Sequence, residues 1–319
     1  MKVRGRFAPS PTGDLHLGNA RTALLAWVSA RAQGGAFVMR MEDLDKPRER
    51  PGAAARILAS LRWLGLDWDE GPDVGGPFGP YTQSERFALY EAATDRLLEA
   101  GKAFHCWCSR AEVAAASAPH AGEEGPRYPG RCRTPDEERA ASRAREGRIP
   151  SVRFLVPDHP VRFEDGIHGL QCFDVHALTG DFVIRRADGV AAYQLAVVVD
   201  DAAMEITEVV RGDDLLSSTP RQILLFEALG LPVPRFLHLP LLLGPDGARL
   251  AKRHGAASLT ELMERGEDPK AITGLLAWLS GLAEKDERLT PGELVARWDP
   301  ARVGRAPARL PEEALHRLP

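Results

Sequence analysis

Residues 9–21 read PSPTGDLHLGNAR, a run of turn formers with one histidine, placed directly before apolar residues at helical spacing. The preceding stretch VRGRFA, at residues 3–8, has the composition of a β-strand. The segment therefore predicts a strand, a loop and an amphipathic helix. A proline-rich turn with an incidental histidine is the plainer alternative.

The predicted helix start has the chemistry of a phosphate site. Its unpaired backbone N–H groups and the positive end of the helix dipole both attract anions. His16 can donate a hydrogen bond to phosphate oxygens in a transition state, and Gly18 lets a ligand approach the backbone. The sequence has neither the lysine of a P-loop nor a GxGxxG run here, so those two nucleotide sites are excluded.

Two arginines stand at the carboxyl ends of β-like runs, where α/β sheets bind ligands. Arg6 ends the first strand, and Arg211 follows a second run in VVRGDD. A planar guanidinium group suits a carboxylate. Each arginine taken alone could equally form a surface ion pair.

Cys106, Cys108 and Cys132 fall within 27 residues. Disulfides are not expected in a cytosolic chain of this size, and three thiolates offer zinc all but one of its four ligands. The neighbouring His105 and His120 are candidates for the fourth ligand, and three free buried thiols are the alternative. Cys172 lies apart and is expected to be a small core residue.

RLAKRHGA, at residues 249–256, follows the turn GPDG and contains Lys252, one of only six lysines. A mobile loop with a lysine can close over a triphosphate and neutralise the departing charge. Asp43 and Asp45 form a DxD pair that could bind Mg²⁺, but a structural role is expected.

The elements that position these residues alternate between strand and helix. We expect a strand in 34–45, a helix in 55–71 closed by glycine, and a helix in 84–103 that ends at Gly101. This spacing indicates parallel βαβ units. The alternation is interrupted at 105–190, which we interpret as an insertion. It then resumes, and from Ser258 the chain is helical, with a weakly structured tail or a loosely docked helix at the end.

The chain has 319 residues, with 44% hydrophobic and 27% charged residues, as in globular proteins. It contains no apolar run of membrane-spanning length and no secretory signal, so we expect a cytoplasmic monomer without membrane contact. The net charge of −4 gives no overall attraction to nucleic acid. Residues 127–153, however, hold eight arginines against four acids, which could contact phosphates.

PSPTGDLHLGN resembles the HIGH region of class I aminoacyl-tRNA synthetases, in the form found in glutamyl-tRNA synthetases. RMEDLD, AYQLAVVVDD, VVRGDDLL and RLAKRHGA resemble the same family in the same order, over about residues 1 to 285. The resemblance implies a Rossmann-type α/β catalytic domain with a zinc-binding insertion. It also implies activation of L-glutamate with ATP and Mg²⁺, followed by transfer of glutamate to tRNA.

Only about 60 residues follow RLAKRHGA, too few for the helical anticodon-binding half of that family. The chain therefore resembles truncated paralogues that activate glutamate without tRNA and attach it to the queuosine base of tRNA(Asp). The alternatives are a shortened synthetase that charges a tRNA 3′ end, a small-molecule nucleotidyltransferase and a non-catalytic RNA-binding relic. We expect a catalytic domain in two halves, 1–104 and 191–257, around the insertion at 105–190, with a helical segment and tail at 258–319.

The resemblance assigns roles by position. The residues expected to bind glutamate are Arg6, Phe7, Ala8, Pro9, Ser10, Glu42, Tyr193 and Arg211, with Arg211 on the side-chain carboxylate and Glu42 on the ammonium group. Those expected to bind ATP and act in catalysis are His16, Gly18, Asn19 and Lys252. The zinc ligands would be Cys106, Cys108, Cys132 and, through its hydroxyl, Tyr128.

The chain departs from the family pattern at three positions. Arg249 replaces a lysine and Ala251 a serine in the lysine loop, and Val197 stands where longer glutamyl synthetases usually have asparagine. We expect Lys252 to retain its function, and the substitution at 197 fits a pocket no longer arranged around a tRNA 3′ end.

Overall fold

The computed structural model describes residues 2–117, 126–248 and 257–313. The first hundred residues contain β1 (Arg4–Phe7), α1 (Leu17–Ala32), β2 (Ala36–Met39), α2 (Ala53–Trp63) and α3 (Phe87–Glu99). The middle of the chain contains β3 (Ala103–Cys106), α4 (Arg110–Ser117), α5 (Glu137–Arg145), β4 (Ser151–Phe154), β5 (Val161–Asp165), β6 (Gly169–Phe173), α6 (Val175–Leu178) and β7 (Val183–Arg185). The remainder contains α7 (Tyr193–Ala203), β8 (Glu208–Gly212), α8 (Thr219–Ala228), β9 (Arg235–Leu239), β10 (Leu242–Leu243), α9 (Leu259–Glu264), α10 (Pro269–Trp278), α11 (Pro291–Val295) and β11 (Ala308–Arg309).

Parallel strands form the centre of the molecule. β1 pairs with β2, and β8 pairs with β9, in both cases in parallel. The backbone N–H of Thr207, just before β8, donates to Arg4 O at 3.0 Å, which links the two pairs. The carboxyl ends of β1 and β8 therefore lie side by side, as the predicted βαβ units require.

Helix α1 is buried on nearly every side, so the expectation of an amphipathic helix is wrong for it. It packs against β1 and β8 on one side and against α10 and α11 on the other. Its buried residues include Leu24, Trp27 and Val28. A helix enclosed by two layers needs no polar face.

The C-terminal segment is also more ordered than expected. Leu294, Val303 and Leu310 are buried in the same hydrophobic core as α1, and β11 pairs with β10. The expectation of a weakly structured tail is therefore wrong for residues 287–313. Apolar residues spaced between prolines dock individually, without the periodicity that predicts a long helix.

Residues 105–190 contain an antiparallel sheet in the order β3-β4-β7. The hairpin β5–β6 lies in the same range but pairs with β9 through Asp165 and Phe236. The boundaries of the insertion remain a prediction. On β6, Cys172 is exposed, so its assignment to the core is wrong.

The C-terminal end of α3 was predicted correctly, whereas that of α2 was not. α3 ends as expected before Gly101, which has a φ of 64°. α2 ends at Trp63, well before residue 71, because Gly65 with a φ of 93° turns the chain away. Among the described residues, no helix combines the length and apolar character needed to cross a membrane.

Candidate active site

A cavity of about 900 Å³ opens at the carboxyl ends of β1 and β8, beside the N-terminus of α1. It brings together eleven of the residues proposed for glutamate and ATP from the sequence. They are Arg6, Phe7, Ala8, Pro9, Ser10, His16, Gly18, Asn19, Glu42, Tyr193 and Arg211. Lys252, Arg249 and Ala251 lie outside the described residues.

His16 is the N-cap of α1. Its Nδ1 accepts hydrogen bonds from the backbone N–H groups of Gly18, at 3.0 Å, and Asn19, at 3.3 Å. Because Nδ1 accepts, the proton of the neutral ring is on Nε2. A Cβ on residue 18 would lie only 2.9 Å from the His16 ring, so any other residue there would push the ring out of its capping position. The cap therefore fixes the ring with a donor at its outer nitrogen, beside the anion-attracting helix end.

Arg6 belongs to a buried network of alternating charges. It donates through Nε and Nη2 to the carboxylate of Asp201, at 3.3 and 3.4 Å. The other cation on Asp201 is Arg40, whose Nη1 lies 2.8 Å from Oδ1. Arg40 Nη2 also donates to Glu42 Oε1 at 3.0 Å. The network holds the Glu42 carboxylate at the wall of the cavity.

Two carboxylates of this network have opposite pKa shifts. Burial raises the pKa of Glu42, and the attraction of Arg40 and Arg6 does not fully offset it. Burial acts on Asp201 as well, but Arg6 and Arg40 together lower its pKa. Glu42 is therefore the carboxylate whose ionised form a cationic ligand would stabilise.

The adjacent Asp200 anchors α7 to the loop before α3. Its carboxylate accepts from Arg86 Nε at 2.6 Å, Gln83 Nε2 at 2.8 Å and the Tyr90 hydroxyl at 2.9 Å. All four residues are buried. Asp43 has the structural role expected of it, because it accepts from the backbone N–H and hydroxyl of Ser84.

Arg211, near the carboxyl end of β8, also lines the cavity. Its Nε donates to His238 Nε2 at 3.0 Å, and its Nη2 donates to Thr219 Oγ1 at 2.8 Å. Its Nη1 is buried without a hydrogen-bond partner within the described part of the chain. A buried donor left unpaired is costly, so this atom indicates where an anionic ligand group would bind.

Sequence reasoning missed five buried ionisable residues behind the cavity. They are Arg40, Asp165, Asp200, Asp201 and His238. The sequence contained a signal for all of them except Asp165. Arg40 stands between methionines in VMRME, two acids follow LAVVV, and a histidine lies within FLHLPLLL. A charge within an apolar run must be paired when the run is buried. The pattern does not, however, reveal the partner.

The three cysteines of the insertion converge. The Sγ atoms of Cys106, Cys108 and Cys132 all lie within 4.8 Å of one another, which is the spacing of a metal site. The Tyr128 hydroxyl lies 3.5 Å from Cys106 Sγ. His105 is exposed, and His120 lies outside the described residues.

The charges around these thiols suit thiolate ligands. Arg153 Nε donates to Cys106 Sγ, and Arg139 Nη2 donates to Cys108 Sγ, each at 3.3 Å. Hydrogen bonds from Cys132 and Tyr128, with the charge of Arg153, lower the pKa of Cys106 despite burial. Soft thiolates with a hydroxyl in reach can hold a metal ion.

Much of the arginine-rich segment serves the fold. Arg133 forms an ion pair with Asp181 at 2.6 Å, and Arg143 and Arg148 both pair with Glu112. Together with the two arginines on cysteine sulfurs, these contacts occupy five of the eight. The charge excess therefore overstates the positive surface available to RNA.

Comparison with known proteins agrees with this geometry. Residues 2–303 match the family described as tRNA synthetases class I (E and Q), catalytic domain. The chain is 59% identical to the glutamyl-Q tRNA(Asp) synthetase of Symbiobacterium thermophilum, over 98% of each chain. It is 48% identical to the protein of the same name from Nitratidesulfovibrio vulgaris, over 99% of this chain and 98% of the relative.

Longer relatives match only in part. Glutamate--tRNA ligase 1 of Halorhodospira halophila is 48% identical over 99% of this chain, which spans 68% of that protein. Among solved structures, the glutamate tRNA ligase of Elizabethkingia meningosepticum, in complex with its amino acid, superposes with a TM-score of 0.87 at 32% identity. The superposition covers 100% of this chain and 69% of the other.

Proposed function

The chain belongs to the catalytic-domain family of class I tRNA synthetases for glutamate and glutamine, and we propose that it is a ligase that activates L-glutamate with ATP and transfers it to the queuosine base of tRNA(Asp). Activation would not require tRNA. The observation that carries the proposal is the cavity wall itself, in which Arg6, Arg211 and Glu42 surround one space.

The charges of this space complement glutamate. Arg211, with Nη1 buried and unpaired, suits the side-chain carboxylate. Glu42 suits the ammonium group, and Arg6 lies between the two on β1. Tyr193 and residues 7–10 complete the wall around the substrate. These residues fit an amino acid with two carboxylates better than an amino acid with an uncharged side chain.

In the activation step, an α-carboxylate oxygen of glutamate attacks the α-phosphorus of ATP. The new P–O bond forms as the bond to the β-phosphate oxygen breaks, and pyrophosphate leaves with that electron pair. His16 Nε2, together with the positive end of the α1 dipole, would stabilise the charge on the phosphate oxygens. We assign Lys252 to the leaving pyrophosphate, and Mg²⁺ to the phosphates of ATP.

In the transfer step, a hydroxyl of the acceptor attacks the acyl carbon. The acyl–phosphate bond breaks, AMP leaves with that electron pair, and the proton of the hydroxyl passes to solvent. The relatives that match over their whole length are named glutamyl-Q tRNA(Asp) synthetases, which supports queuosine as the acceptor. The identity to glutamate--tRNA ligases supports the second candidate, a tRNA 3′ end. The substrates, ATP and tRNA, agree with a cytoplasmic location.

We further propose that Cys106, Cys108, Cys132 and Tyr128 hold one structural zinc ion. The convergence of three soft ligands and the arginines that neutralise them support this choice. A bound ion would cross-link β3 to the segment before α5.

The test begins with glutamate-dependent exchange between ATP and labelled pyrophosphate, with and without tRNA. Exchange in the absence of tRNA is expected, and no exchange under either condition would refute the ligase function. Labelled glutamate is then offered to tRNA(Asp) with and without queuosine, each with its 3′ end intact or with the 3′-terminal adenosine removed by enzymatic trimming. Label that requires the intact 3′ end but not queuosine would favour the second candidate.

A further inference from the structure

Asp165, His238 and Arg211 lie in a row across three adjacent parallel strands. Arg211 on β8 is in register with His238 on β9, and Asp165 on β5 is in register with Phe236 on the same strand. All three side chains are 0–4% exposed. Only Arg211 reaches the wall of the cavity.

The hydrogen bonds in this row determine one tautomer of the histidine. Asp165 Oδ2 lies 2.6 Å from His238 Nδ1, and its Oδ1 accepts from the backbone N–H groups of Ile167 and His168. An ionised carboxylate only accepts, so His238 Nδ1 carries the proton. His238 Nε2 is then an acceptor, as the Arg211 Nε–H group requires.

The histidine stays neutral in this setting. Burial lowers its pKa to about 4, and the adjacent Arg211 charge acts in the same direction against the attraction of Asp165. A protonated ring would place a second cation against the guanidinium group. Neutral His238 therefore accepts from Arg211 without competing for its charge.

We propose that Asp165 and His238 are positioning residues that orient Arg211 and thereby select glutamate over glutamine. The inference rests on the proposed function and extends it. His238 occupies Nε and Thr219 occupies Nη2, so the guanidinium group cannot rotate without breaking both bonds. Nη1 is left as a donor for the side chain of the substrate.

This arrangement distinguishes glutamate from glutamine by whether the group that faces Arg211 Nη1 accepts or donates a hydrogen bond. A carboxylate can accept from Nη1 in any of its orientations, whereas an amide presents either its oxygen or its NH₂ group. An arginine free to rotate could follow the amide oxygen. An arginine held in one orientation cannot follow the amide in this way, so it keeps its stronger binding of the charged carboxylate.

The test uses variants that keep or remove the acceptor. His238→Gln retains a polar atom near the position of Nε2, whereas His238→Leu does not. We expect His238→Leu to raise KM for glutamate about 10- to 100-fold in the exchange assay, with little change in kcat, and to lower the preference over glutamine. His238→Gln should restore most of the affinity. An unchanged KM in His238→Leu, or equal losses in both variants, would overturn the proposal.

Asp165→Asn tests the tautomer, because an amide N–H facing Nδ1 would move the ring proton to Nε2, against Arg211. Its matched control is Glu164→Gln on the exposed face of the same strand. Nitrogen-15 NMR of the parent should show His238 with the proton on Nδ1 at neutral pH, and a proton on Nε2 would overturn the inference even if every variant fails to fold. A parent without glutamate-dependent exchange would instead refute the proposed function.

Discussion

Replacing Glu42 with glutamine removes one negative charge from the cavity wall while preserving the size of the side chain. In the parent, Glu42 Oε1 accepts from Arg40 Nη2 at 3.0 Å, and the side chain is 9% exposed. A glutamine oxygen can still accept this hydrogen bond. The change therefore keeps the contact with Arg40, which still pairs with Asp201, and removes the charge proposed to face the substrate ammonium group.

The size of the effect follows from this burial. A hydrogen bond to a charged group contributes about 1.5–3 kcal/mol, and a nearly buried carboxylate lies toward the upper part of that range. A loss of about 2–3 kcal/mol corresponds to a KM for glutamate about 30- to 150-fold higher. kcat at saturating glutamate should change less, because the ammonium group takes no part in the reaction at the carboxylate.

The pH dependence provides a second signature. Because the pKa of Glu42 is raised, lowering the pH protonates it before an ordinary glutamate. KM for glutamate should therefore rise as the pH falls through that pKa, and Glu42→Gln should show a high KM without this dependence. The raised pKa also means that Glu42 makes the folded state less stable as the pH rises through the interval between its unfolded and folded pKa values. Glu42→Gln should remove that contribution.

The assay is glutamate-dependent ATP–pyrophosphate exchange across a pH series. The matched control is Glu70→Gln, which removes another buried carboxylate that pairs with an arginine, at 2.8 Å from Arg4. Glu70 does not line the cavity. The control should change stability with KM unaltered. A Glu42→Gln enzyme with the parent's KM, or a control with the same loss, would refute the assignment of Glu42 to the ammonium group.

Three further predictions concern other parts of the molecule. Gly18→Ala should displace the His16 ring, because its Cβ would lie 2.9 Å away, and should lower kcat about 10- to 1,000-fold in the exchange assay. Elemental analysis of the parent should find about one zinc per chain, and Cys132→Ser should lose it, whereas an unchanged content would exclude this ligand set. Asp200→Asn should lower the free energy of unfolding in urea by about 3–5 kcal/mol, because Arg86 is left buried beside a neutral group, and a loss below about 1 kcal/mol would contradict the ion pair.

Local sequence was sufficient for the end of the site at which we propose that phosphate binds. PSPTGDLHLGN, just after β1, holds a turn, a capping histidine and a helix start within a few residues. The contacts that matter there span only two or three positions, such as His16 with Gly18 and Asn19. At this helix start, residues that are close in the sequence are therefore also in contact in the structure. The family motifs also identified Arg6, Glu42 and Arg211, which the structure places in one cavity.

Local patterns were less reliable where burial depends on distant layers. The helix α1 has no polar face because α10 and α11 cover it, and the proline-rich segment that contains Val303 is docked rather than loose. Cys172 is exposed because it lies on the edge strand β6. In each case the local residue types were compatible with either environment.

What only the tertiary structure decided is how the charges of the site are paired. The sequence determined that an arginine, two acids and a histidine stand within apolar runs, and burial requires such groups to have partners. It did not determine that Arg40 and Arg6 share Asp201, or that positions 165, 238 and 211 form one row. The order and register of β5, β9 and β8 set the row, whereas Asp201 reaches Arg6 and Arg40 from helix α7. Residues this far apart in the chain become neighbours only when the elements that carry them pack together.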